Sequence, residues 1–156
     1  MDCKRTGVFQ FFLFCMVLCY ASTAFSAVVV VQALSFGNFV SKNNDAQYDI
    51  TINTDGSYSF DSAGFILIDP PQEGIYDIDG LNVSAAIVSV SVTQIVQLTG
   101  AGNAFQMVDF QETHPSMTDG LGQARITIGA TARTSGAGTT YRDARYSGTV
   151  EIEVNF

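Results

Sequence analysis

The residues of this 156-residue sequence that could do chemistry are few and scattered. The one histidine, His114, precedes Pro115 in the polar run ETHPSMTDGLG, with no second histidine or nearby cysteine to share a metal. It reads as a solvated loop side chain. A serine nucleophile beside it would call for a turn such as Gly-x-Ser-x-Gly, which the sequence lacks. The best grouping of hard oxygen ligands is DIDG, Asp77 to Gly80, with Asp69 and Glu73 upstream. It has neither the twelve-residue spacing nor the terminal Glu of a helix-loop-helix calcium site, and acidic turns in an acidic chain are ordinarily solvated. Glycoside hydrolysis needs two carboxyl groups facing across a cleft, which no linear pattern here identifies, and there is no Trp to stack on a sugar. Asn82-Val83-Ser84 fits the N-glycosylation acceptor triplet. TYRDARY, Thr140 to Tyr146, reads as an exposed loop with compensating Arg and Asp. No catalytic residue, metal-ligand set or cofactor is assigned, and the chain is read as non-enzymatic.

The compartment is read from the N-terminus. Lys4 and Arg5 precede an apolar run from Val8 to Tyr20 and then small residues, the pattern of a secretory signal peptide. The run is shorter than the roughly 20 residues a membrane-spanning helix needs. Cleavage after Ser26 and after Ala24 both satisfy the small-x-small rule; Ser26 is preferred, giving a removed segment 1–26 and one domain over 27–156. All three cysteines, Cys3, Cys15 and Cys19, fall in the removed segment, so the domain is expected to fold without disulfides. Residues 27–156 hold 14 acidic and five basic side chains, a net charge of −9. Such a surface repels phosphate backbones, and the five bases form no stripe, so nucleic acid is not an expected partner.

The elements between these residues have period two. QYDITIN sets Tyr48, Ile50 and Ile52 against Asp49, Thr51 and Asn53. NTDG, Asn53 to Gly56, is a hairpin turn, since Asp-Gly suits the positive φ that tight hairpins require. VVVVQALSF is read as one strand from Val28 to Phe36, and GFILID as a strand ended by Pro70 and Pro71. VSAAIVSVSVTQIVQL places Val88, Val90 and Val92 on one face and is long enough to serve as two strands across VTQ. QARITIGATAR sets Ala124, Ile126, Ile128 and Ala130 against Arg125, Thr127, Gly129 and Thr131. About eight strands without a helical period predict an all-β, two-sheet sandwich.

The last segment, YSGTVEIEVNF, alternates Val150, Ile152, Val154 and Phe156 with Thr149, Glu151, Glu153 and Asn155. Such a strand needs its apolar side covered and its backbone paired, and native sheets usually blunt a free edge. ALSFGNF, DITINTDGSYSF and YSGTVEIEVNF, in that order and with QIVQLTGAGNAFQMVDF and ARITIGATAR between them, resemble bacterial exported domain-of-unknown-function family 4402 over nearly all of residues 27–156. The chain is also similar to the spore-coat-U and archaic chaperone-usher pilin proteins, which share an opening Leu-x-Phe-Gly and a closing Tyr-x-x-Thr-Val-x-Val-x-Val-x-aromatic strand.

The resemblance implies an immunoglobulin-like sandwich exported to the periplasm and then the cell surface. It implies a structural, adhesive or fimbrial subunit held by a periplasmic chaperone and usher and joined to neighbouring copies by β-strand complementation. Carried over, Tyr146 and Gly148 begin the edge strand, Val150, Ile152, Val154 and Phe156 face its groove, and Leu34, Phe36 and Gly37 mark the first strand. Only Ala27 to Ala33 precede that motif, about 23 Å of extended chain, and the usual pilin disulfide is missing. The alternative is a self-complete monomeric module binding a carbohydrate or a surface protein.

Overall fold

The computed structural model describes residues 27–156; the segment 1–26 expected to be a signal peptide, with Cys3, Cys15 and Cys19, lies outside the described residues. The organising strand is β10 (Ala124–Arg133). Its alternate residues Ala124, Ile126, Ile128, Ala130 and Ala132 are buried in the core, as their period predicts. One flank of β10 pairs first with β6 (Gly74–Asp79) and then with β3 (Asp49–Ile52); the other pairs with β9 (Phe105–Thr113), which pairs with β8 (Val96–Leu98). Outside β6 lies β1 (Ala27–Gln32), and outside β3 lies β4 (Tyr58–Phe60). Every pairing is antiparallel, and no helix occurs among the described residues.

Gly129 lies where β10 passes from one partner strand to the other. A Cβ there would overlap the Ile52 carbonyl oxygen, so the switch depends on a residue without a side chain. On β9, Asp109 takes φ 51° opposite a register shift. This bulge inserts one residue, so that Met107 and Phe110, three apart, both pack on the core.

A second layer packs against the first in two separate pieces. One is β2 (Asn38–Ser41) with β5 (Phe65–Asp69); the other is β7 (Ser89–Val92) with β11 (Ile152–Asn155). The two layers enclose Ile78, Val90, Val92, Ile126 and Ile128 at one end and Ile50, Phe65 and Phe105 at the other. The molecule is an all-β, two-layer sandwich.

Two expectations change. Val28 to Phe36 is not one strand: β1 leaves the edge of β6 after Gln32, the chain makes a single bridge from Ser35 to Gln72, and it resumes as β2 in the other layer. Gly37, at φ 73°, allows the crossing, because a side chain there would overlap the Asp69 carbonyl. Val88 does not share the buried face of Val90 and Val92; it is 72% exposed while Ile87 is buried. Ile87 donates its amide to Ser116, which holds this stretch off the alternation. The split across VTQ occurs as the alternative reading had it, between Val92 and Val96.

Candidate functional site

The terminal strand is built from its corner upward. Tyr146 donates its hydroxyl to the Arg142 carbonyl at 2.9 Å and sets its ring edge-on to Phe105, with Tyr141 stacked on the same ring at 3.9 Å. The TYRDARY loop thus turns both tyrosines inward. Gly148 follows, and a Cβ there would lie 2.7 Å from Val96 and 2.9 Å from the Gln97 carbonyl. The chain then runs antiparallel to β8 and β7, from a bridge between Ser147 and Thr99 to the pairing of Asn155 with Ser89.

β8 has β9 on one side and this terminal run on the other, so β11 lies on the flank of β7 away from the main sheet's edge. Among the described residues, no strand pairs with the second edge of β11. Val150, Ile152 and Val154 turn toward the core but are only half-buried, and Glu151 and Glu153 turn to solvent. Phe156 lies past the end of β11 and is 54% exposed.

Leu34 and Phe36, in the crossing between β1 and β2, pack into the same apolar cluster as Val150 and are likewise half-buried. Residues far apart in sequence, Leu34 and Phe36 with Val150, Ile152 and Val154, therefore border one incompletely covered strip of core. The two pieces of the second layer, β2 with β5 and β11 with β7, flank it without hydrogen-bonding to each other.

β1, the short stretch before the Leu34 to Gly37 motif, is a second incompletely covered strand. Val28 and Val30 stand opposite Ile78 and Tyr76, whose partners on β10 are the buried Ala124 and Ile126. These valines lie on the core-facing side of the main sheet, yet they are 58% and 59% exposed. Val29 and Val31 are about half exposed as well, so β1 is apolar and bare on both faces. The run of four valines was the available signal, since an uncharged β-branched strand without Pro is the opposite of a protected edge.

The other candidates are accounted for by local contacts. Asp77 receives a bidentate pair from Arg125, at 2.7 and 2.8 Å, and this holds its carboxyl below the usual range. Asp69 binds the Asn38 amide. No group of three or more potential metal ligands forms among the described residues. His114 Nδ1 donates to the Pro115 carbonyl at 2.9 Å, and Asn82 is exposed.

Fold and edge together define a class: an antiparallel β-sandwich whose second layer is interrupted beside its terminal strand. The chain belongs to the family described as a domain of unknown function, DUF4402, which matches residues 27–156. No curated protein and no solved structure matches it.

Proposed function

We propose that this protein is a non-enzymatic, exported structural or adhesive subunit whose second layer is completed by a β-strand from a neighbouring chain. One observation carries the reading: β11 is hydrogen-bonded along a single edge, beside the half-buried Leu34, Phe36, Val150, Ile152 and Val154. A strand laid between β11 and β2 would pair with unfilled backbone groups and cover that strip. The likeness of Leu34 to Gly37 and Tyr146 to Phe156 to the spore-coat-U and chaperone-usher pilin motifs supports it. An immunoglobulin-like arrangement is supported by the crossing of the first strand between layers. Tyr146 adds to this, since its hydroxyl ties back to a carbonyl four residues upstream in the manner of a tyrosine corner.

On this reading the donor is a second copy, and its Ala27–Gln32 segment is suited to the task by carrying no charge and four exposed valines. A periplasmic chaperone and usher would guard and deliver the edge before assembly at the cell surface. The test is a chain of residues 27–156 extended at its C-terminus by a short Gly-Ser linker and a second copy of Ala27 to Phe36. The extension is expected to raise the melting temperature by several degrees, and the gain is expected to vanish when its four valines become Thr or when the acceptor carries Ile152→Asp. An unchanged melting temperature in the extended chain would remove the proposal.

A further inference from the structure

At the end of the sandwich away from Ala27 and Phe156, where β10 finishes against Asp49 and Gln106, two loops enclose an open cleft of about 240 Å³. One wall is Ser41 to Asp45, and the other is Gly138 to Tyr141. The walls are fixed from beneath. Asn44 is 6% exposed, donates to Ser135 Oγ and the Thr139 carbonyl, and accepts from the Gly136 amide. Asn103 donates to Thr139 Oγ1 and the Thr140 carbonyl, and the Tyr141 hydroxyl accepts from the Ser135 amide.

Three neutral polar groups are left over. Among the described residues, Ser41 Oγ, Asn43 Oδ1 and Thr140 Oγ1 make no hydrogen bond within the chain. The lining also holds one Lys42 and one Asp45, and each already has a partner: Lys42 donates to the Ser62 carbonyl and Asp45 accepts from the Tyr48 hydroxyl. A mixed set of hydroxyl and amide groups with no net charge suits a neutral ligand rich in hydroxyls. The pre-set walls matter because weak polar ligands cannot offset the cost of ordering loops.

We propose that this cleft is a saccharide-binding site, sized for a single sugar ring. It lies at the end of the sandwich away from Ala27 and Phe156, and the proposal does not rest on strand complementation. The experiment is a backbone-amide NMR titration of residues 27–156 with a panel of neutral hexoses and N-acetylhexosamines, with glycerol as a control that has hydroxyls but no ring. At least one sugar is expected to shift the amides of residues 41–45 and 138–141 saturably, and glycerol is not. The double variant Ser41→Ala, Thr140→Val removes two free hydroxyls without touching a hydrogen bond of the fold. It is expected to weaken binding about tenfold, the loss of two weak hydrogen bonds, while the rest of the spectrum is unchanged. No saturable shift from any sugar, shifts that map elsewhere, an equal response to glycerol, or binding undiminished in the variant would each overturn the proposal.

Discussion

Single side chains in this protein mostly fasten loops and edges, and Asp77 shows how. Its carboxyl is held below the ordinary range, chiefly by the hydrogen bonds from Arg125 and then by the charge of that guanidinium. A depressed carboxyl stabilises the fold at pH values above its unfolded-state value, and the contribution disappears as pH falls through the folded-state value. Arg125 stays charged throughout. Asp77→Asn is therefore expected to be less stable than the parent at pH 7 by the small amount an exposed ion pair supplies. The two should converge as pH falls below the ordinary Asp range and through the lowered folded-state value. Asp55, also lowered through the hydroxyl and amide of Ser57, is common to both proteins and drops out of the difference. Urea midpoints at neutral and acid pH check this, and a gap that persists into acid would assign the loss to packing instead of charge. Sequence reading placed Asp77 in a candidate calcium turn because its neighbours in the chain are acidic. Its real partner is 48 residues away on the adjacent strand, a pairing that only sheet register could reveal.

Strands differ in how firmly they are held, and that difference can be measured. β10 is paired on both flanks, and its core residues Ile126, Ile128 and Ala130 are fully covered. β1 is paired on one flank, through a register break between Val30 and Gln32, and covered on neither face. Amide exchange is expected to be slowest in Ile126–Ala132, close to the global unfolding limit, and to proceed in β1 through local opening at a far lower free energy. Equal protection of β1 and β10 would mean that the valine strand is integral to the fold. Periodicity made the faces of β3 and β10 legible, and the Asn53–Gly56 turn was read from Asp-Gly; Gly56 takes φ 79°, and Gly56 donates its amide to Asn53. It could not give the edges. Nothing local to Val28–Val31 says that the strand pairs with β6 and then crosses layers, and nothing local to Met107–Phe110 announces the bulge at Asp109. The strip beside β11 was half legible, since alternation gave the apolar face of Val150–Val154. The approach of Leu34 and Phe36 to it depends on more than 110 residues of intervening chain.

For the whole molecule, the acidic excess would govern the assembly of copies proposed above. With 14 acidic and five basic side chains in residues 27–156, two copies repel at long range. The surfaces proposed to join them, β1 and the strip beside β11, are apolar in their contacts, and the nearest charges on the acceptor strand are Glu151 and Glu153. No ion pair is available there to favour association, so added salt only screens the repulsion, and the Debye length falls from about 20–30 Å at 0.02 M to about 4–5 Å at 0.5 M. Self-association of residues 27–156 is therefore expected to strengthen with ionic strength and to show as a rising weight-average mass in sedimentation. Replacing Glu151 and Glu153 together with Gln should flatten the salt dependence while raising association at low salt. Association that weakens as salt is added would point to ion pairing between subunits. That outcome would direct attention away from the valine strand and toward the exposed Arg142 and Arg145 of the corner loop.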